Sequence, residues 1–164
     1  MSERFRRRGE AIVVVLAPAE RELLRRLPDD LRPFLAGQGS AAVRERLFPR
    51  AYLDPTAEEA EQQWQQMVHP ELVRQKTEAL AVLTASLERG AETRGEVEVE
   101  LGPDEAEAWL GALNDARLAL GVGLGITDDT DFDAVDPDDP ETMPYVVYNW
   151  LTVMQGQLVD ALSG

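Results

Sequence analysis

The sequence predicts an α+β domain that is predominantly helical, with five to six helices and a small two-stranded antiparallel sheet. Three observations lead there. Apolar residues recur at helical spacing through most of the chain, only two short stretches have the make-up of strands, and both strands run into the same helix-start pattern. A chain of 164 residues can enclose one core without disulfides or metals. We divide it into a basic arm at residues 1–10 and one globular helical domain at 11–164, which includes an acidic loop at 128–142.

"AIVVVL", residues 11–16, is apolar at every position, as expected of a strand covered on both faces. Its expected partner is "EVEVEL", residues 96–101, where Val97, Val99 and Leu101 alternate with glutamates, so that one face is buried. With an offset of 85, Leu16, Pro18, Glu20, Glu22 and Leu24 fall on Leu101, Pro103, Glu105, Glu107 and Trp109. Each copy puts proline in the first helical turn and carboxylates near the positive helix end. The match suggests a strand-turn-helix unit used twice about an approximate twofold axis, with convergent helix-start chemistry as the alternative.

Residues 28–55, with four prolines and "AGQGS", read as short helices and turns. "TAEE", residues 56–59, reads as a capping box opening a helix that carries Trp64, Met67 and Val68 and is kinked or restarted at His69 and Pro70. The helix after Pro70 reaches about Glu88, with Leu72, Ala79, Leu80, Leu83 and Leu87 on one face, and Gly90 ends it. Trp109, Leu113, Ala116, Leu120 and Leu124 define a helix over 104–124. In the last helix, 143–162, Val147, Trp150, Leu151, Met154, Leu158 and Leu162 form the core stripe, Tyr145, Tyr148 and Val159 lie on a second side, and Val146 and Val153 on a third. A helix apolar nearly all round is either central to the core or shared with a partner.

Composition excludes several function classes. The longest apolar run, Ala11 to Ala17, is far shorter than a membrane-spanning helix requires, and although it follows "RFRRR" we read it as a buried strand of a cytoplasmic protein rather than as a secretory leader. With no cysteine, these residues support neither disulfides nor thiolate catalysis. Residues 1–50 carry 11 arginines against 7 acids, net +4, and residues 51–164 carry 5 basic groups against 24 acids, net −19. A body this acidic repels nucleic acid, so only the arm, with Arg4, Arg6, Arg7 and Arg8, offers phosphate-neutralising charge.

The stretch "LGVGLGITDDTDFDAVDPDDPE" poses two further questions. Phosphate loops place glycines before a helix, whereas Gly121, Gly123 and Gly125 come at the end of one, where a left-handed cap and close packing account for them. Asp129, Asp131 and Asp133 fit the first positions of an EF-hand loop, but Ala134 stands where glycine is needed and Pro140 where glutamate is needed. We read a solvated acidic loop and assign no metal or cofactor ligands. Arg117 falls among Leu110, Leu113, Leu120 and Leu124, so it must snorkel or meet a carboxylate, with Asp128 or Asp129 as its candidate mate. His69, the lone histidine, reads as a surface residue at a helix boundary, and Met67, Met143 and Met154 read as packing residues. No nucleophile–base or metal-ligand spacing appears, and we assign no catalytic residue.

"LGPDEAEAWLGALNDARLALGVGLGITDDTD" and "YVVYNWLTVMQGQLVDAL", with "HPELVRQKTEALAVLTASL" and the strand leading into "LAPAERELLRRL", carry a resemblance over nearly the whole chain. The sequence resembles the actinobacterial oxidative-stress transcriptional regulator (AosR-like) family, formerly a domain of unknown function. The resemblance emphasises Trp109, Asn114, Asp115, Arg117, Gly121, Tyr148 and Trp150, without a catalytic role for any of them. It implies redox-responsive control of transcription through contact with a protein partner, the transcription machinery, and its gene neighbourhood implies an alternative as adaptor in Clp-dependent proteolysis. A thiol sensor cannot operate in a chain without cysteine.

The expectation is therefore a non-enzymatic regulator acting through a protein partner, with Arg117, Asn114, Asp115, Tyr148 and Trp150 as candidate contacts and a homodimer as one form of partner. The competing expectation is direct nucleic-acid binding through Arg6, Arg7 and Arg8.

Overall fold

The computed structural model describes residues 4–136 and 138–164; the first three residues of the expected arm and residue 137 of the acidic loop lie outside them. Among the described residues there are four strands, β1 (Phe5–Arg8), β2 (Ala11–Leu16), β3 (Ala91–Thr93) and β4 (Glu96–Leu101), and five α-helices. The helices are α1 (Pro18–Leu35), α2 (Ala41–Leu47), α3 (Glu58–Glu88), α4 (Pro103–Leu124) and α5 (Met143–Ser163). The strands form one antiparallel sheet in the order β1-β2-β4-β3.

The predominantly helical α+β class and the pairing of β2 with β4 match the sequence reading, but the sheet has four strands, not two. The two extra strands escaped because they are short and polar: "FRRR" and "AET" have no apolar alternation to announce them. Part of the expected arm is thus edge strand β1, with Phe5 buried in the core.

The register explains why the strand-helix pattern occurs twice. Under the 85-residue offset, the pair Ile12–Leu101 becomes Leu16–Val97, and Val14–Val99 maps onto itself, as a local twofold axis between β2 and β4 requires. The hairpins obey the same offset, since Arg6–Val13 becomes Ala91–Glu98. Both following helices begin alike. Glu20 Oε1 accepts the Ala17 amide at 2.9 Å and Glu105 Oε1 the Gly102 amide at 3.0 Å, each satisfying a free donor at the helix start. Arg4 pairs with Glu20 at 2.6 Å and Arg89 with Glu105 at 2.7 Å, and these two arginines are also 85 residues apart. The repeated unit is therefore a hairpin plus helix.

Ile12, Val14, Leu16, Val97, Val99 and Leu101 face inward against the helices, packed with Leu24, Leu83, Trp109, Leu113, Leu151 and Met154. Burial of this apolar surface is the main stabilising term. The opposite sheet face carries the charged side chains. There Arg6 and Arg8 of β1 reach over β2 to Glu98 of β4, at 3.9 and 3.4 Å, and this charged bridge helps to seal Val13 completely.

Three prolines expected to break or bound helices do not. Pro28 and Pro33 lie inside α1, and α3 continues through Pro70 as one 31-residue helix, so the expected restart at His69 and Pro70 is corrected. Each proline removes one amide donor, and tertiary packing of the helix offsets the loss; Pro28 is itself buried in that packing, whereas Pro33 and Pro70 are exposed. Nor does Thr56 cap this helix: Asp54 accepts the Thr56 amide at 2.9 Å and holds a short 3-10 turn ahead of α3. The end of α4 follows expectation. Gly125 adopts φ +68°, and the amides of Gly125 and Ile126 donate to Val122 and Gly121 at 3.1 and 2.9 Å.

Candidate functional site

Asn114 and Asp115, on the face of α4 toward α3, line a trench of about 510 Å3 between these helices. Asp115 is 9% exposed and takes a bidentate contact from Lys76 Nζ at 2.8 and 3.0 Å. Burial pushes the Asp115 carboxyl above its ordinary range, and the hydrogen bond and charge of Lys76 pull it back only in part. Lys76 also lies 5.7 Å from the ring centre of Phe48, which packs on His69 at 4.5 Å. His69 is thus half-buried inside α3 rather than a surface boundary residue. Lys76 escaped the sequence reading, because a single lysine in a helix gives no sign of a mate 39 positions away.

Arg117 lies on α4 and contacts Asn114 Oδ1 at 3.4 Å, while Gln155 of α5 donates to the same oxygen at 3.2 Å. The expected pairing with Asp128 or Asp129 is not made: both are exposed, and among the described residues Arg117 has no carboxylate within ion-pair distance. One turn onward, Tyr148 of α5 packs on Gly121, where an added Cβ would stand 3.0 Å from its ring, and stacks on Phe132 at 5.8 Å with planes 3° apart. Gly121 is therefore a packing glycine that lets the aromatic ring approach α4.

Trp150 and Arg4 meet elsewhere, on a shared carboxylate. Trp150 Nε1 donates to Glu20 Oε2 at 2.7 Å, the oxygen that also takes Arg4 at 2.6 Å, and Arg4 reaches Gln157 at 3.0 Å. Arg7 donates to the carbonyls of Ala161 and Leu162, both at 3.2 Å, at the negative end of α5. Arg6 and Arg8 form the bridge to Glu98. The candidate residues thus fall in four places: Asn114 and Asp115 in the trench, with Arg117 on the other side of Asn114; Tyr148 on the α4–α5 seam; Trp150 and Arg7 along α5, on the side that meets β1; and Arg6 and Arg8 on the opposite face of the sheet.

The acidic loop uses its aspartates as turn caps. Asp131, Asp136 and Asp139 accept the amides of Asp133, Asp138 and Glu141 at 3.0, 2.9 and 3.0 Å. Among the described residues no three histidine, aspartate or glutamate side chains converge as metal ligands. Met154 is buried as expected, but Met67 is 79% exposed and Met143 47%, which corrects their reading as packing residues. Among the described residues no helix is long and apolar enough to cross a membrane.

Residues 2–162 match the family described as a domain of unknown function, DUF2017. A protein of Mycobacterium bovis named oxidative stress regulator AosR is 42% identical over 74 residues, covering 40% of this chain and 30% of that protein. One of Mycobacterium leprae, named putative oxidative stress regulator AosR, is 42% identical over 93 residues, covering 57% of this chain and 40% of its own length. The chain thus spans less than half the length of these curated relatives. No solved structure matches it significantly. With the family match running almost from end to end and AosR regulators 42% identical over part of the chain, the chain belongs to the DUF2017, AosR-like family.

Proposed function

We propose that this chain is a non-enzymatic regulatory protein that modulates transcription in the oxidative stress response through contacts with protein partners. Its relatives are named oxidative stress regulators, which supports the regulatory role. The observation that favours protein over nucleic acid as partner is the fate of the N-terminal arginines. Arg4 is held by Glu20, Arg6 and Arg8 by Glu98, and Arg7 by the carbonyl end of α5. Arg4 is engaged with an enclosed carboxylate, the other three arginines are held by contacts within the chain, and the remaining body is strongly negative. The proposal includes no cysteine switch within these residues.

Fluorescence anisotropy of labelled duplex DNA, titrated with the full chain across a salt series, tests this reading. The expected result is no saturable binding at low salt, unchanged in Arg6→Gln/Arg8→Gln. Tight binding that falls steeply with salt and is lost in that variant would instead make the arginine strand a nucleic-acid contact.

A further inference from the structure

We infer that the trench between α3 and α4 is a docking site for a helix of a partner protein, one carrying arginine or lysine along one flank of a narrow apolar face. The inference rests on the reading above, regulation through protein contacts, and gives it a surface and a partner chemistry.

Between its polar ends the trench is lined by small apolar residues, Ala79 and Val82 from α3 and Ala108 and Gly111 from α4. On each helix these residues are three apart, so the two facing ridges are low together and leave a straight furrow that the ridge of a third helix can enter. The α4 side is lined from Asp104 to Asp115, about 16 Å at the helical rise, or three turns. Gly111 is exposed, and a Cβ built there meets nothing within 4 Å. Glycine weakens a helix interior, and no internal neighbour requires one at this position. What it leaves is open space in the trench.

Charge selects the occupant. Lys76 is neutralised by Asp115, and Glu78 on the α3 rim is paired with Arg74 at 2.8 Å. On the α4 rim Asp104 and Glu107 have no ion-pair partner among the described residues. The trench is therefore apolar between its ends and negative along one lip. A helix that lays small or aliphatic side chains on the apolar lining and points guanidinium or ammonium groups at Asp104 and Glu107 satisfies both features.

The test uses the full chain and a fluorescein-labelled synthetic helix of about 18 residues, long enough to cover the trench, with alanine and leucine on one face and arginine on one flank. Anisotropy is read at about 0.1 M salt, where diffuse attraction to an acidic protein is largely screened. Gly111→Leu fills the trench without changing charge and is expected to weaken binding by at least about tenfold. Asp104→Asn/Glu107→Gln is expected to weaken it by a similar factor, and Glu92→Gln/Glu96→Gln, which removes the same charge at the distant hairpin, by less than about twofold. Unchanged affinity in Gly111→Leu would overturn the inference, as would equal losses in the two charge variants or no saturable binding by the native chain. If circular dichroism shows Gly111→Leu to be misfolded, the comparison of the two charge variants decides alone. The DNA titration judges the broader reading separately, so failure of the trench leaves regulation through another surface standing.

Discussion

Lys76 Nζ sits 2.8 and 3.0 Å from the two carboxylate oxygens of Asp115, joining the middle of α3 to the middle of α4 beneath the trench. The pair is largely enclosed, with side-chain exposures of 22% and 12%. Its removal in halves is therefore predicted to be asymmetric. Lys76→Met leaves a buried carboxylate alone and is expected to cost about 2 kcal/mol at neutral pH. Lys76→Met/Asp115→Leu removes both charges and is expected to recover most of that loss, as read from urea midpoints.

The pH dependence of the same pair has a definite sign. Burial raises the Asp115 carboxyl above its unfolded value, so the folded state holds this proton more tightly than the unfolded state. Its contribution to stability is fully present below the unfolded pKa of about 3.9 and is lost as pH rises through the folded value. Removing the Lys76 charge raises the folded value further. The deficit of Lys76→Met against the native chain should accordingly widen as pH rises through the native folded value and level off above the variant's. A deficit constant across that range would show that Asp115 does not titrate differently in the variant.

Trp109 Nε1 donates to Ser86 Oγ at 2.7 Å, and both residues are completely buried. Ser86 still has the carbonyls of Val82 and Leu83 for its own proton. Ser86→Ala strands the indole N–H in the core, at an expected cost of about 1–3 kcal/mol. Adding Trp109→Phe removes the stranded donor but also packing volume, so the double variant should lose less than the sum of the two single losses. Additive losses in denaturation midpoints would argue that the indole finds water or another acceptor.

The parts of this fold legible in the sequence are those in which one residue's surroundings repeat locally. The alternation in "EVEVEL", the Pro-x-Glu helix starts and the stripe from Trp109 to Leu124 all placed their elements correctly. The strands β1 and β3 were invisible because their stability comes from pairing with β2 and β4, a cross-strand property that polar residues hide. Once the offset of 85 is applied to Arg4 and Arg89 the second hairpin is implied, yet an arginine pair alone is too weak a signal to find it. Of the candidate site, Asn114 and Asp115 were named, while Lys76 and Gly111 were not. Helical spacing reports which residues share a face and says nothing about which second helix will meet it.

Three glycines should respond to alanine in different ways, each for a local reason. At Gly90 a Cβ would stand 2.7 Å from Val97 Cγ1 and 3.1 Å from the Leu87 carbonyl oxygen, a backbone atom that cannot move aside, so Gly90→Ala is expected to cost about 1–3 kcal/mol. At Gly121 the neighbour is the Tyr148 ring at 3.0 Å, which can tilt at the expense of its stack on Phe132, and the cost should be smaller. Gly111 meets nothing, so Gly111→Ala should stabilise α4 by up to about 1 kcal/mol. Thermal denaturation of the three variants ranks them, and any other order would mean that the helix contacts differ from those described.

The hairpin tips offer an internal comparison. Gly9 in the first hairpin and Arg94 in the second occupy equivalent positions under the 85-residue offset, and both take a left-handed conformation, with φ of +64° and +54°. Glycine does so without steric cost. For arginine the crowding of Cβ against the carbonyl costs about 1–2 kcal/mol. A two-residue hairpin turn ending in glycine favours asparagine ahead of it, because its short polar side chain tolerates positive φ. Arg94→Asn is therefore expected to raise stability by about 0.5–1 kcal/mol. Gly9→Val should lower it by more than that, since a β-branched side chain tolerates positive φ least. Urea denaturation of the two variants tests both halves of the argument. If Arg94→Asn proves neutral or destabilising, the guanidinium must make up for its strained backbone by a favourable contact, and the turn would then be more than a connection between β3 and β4.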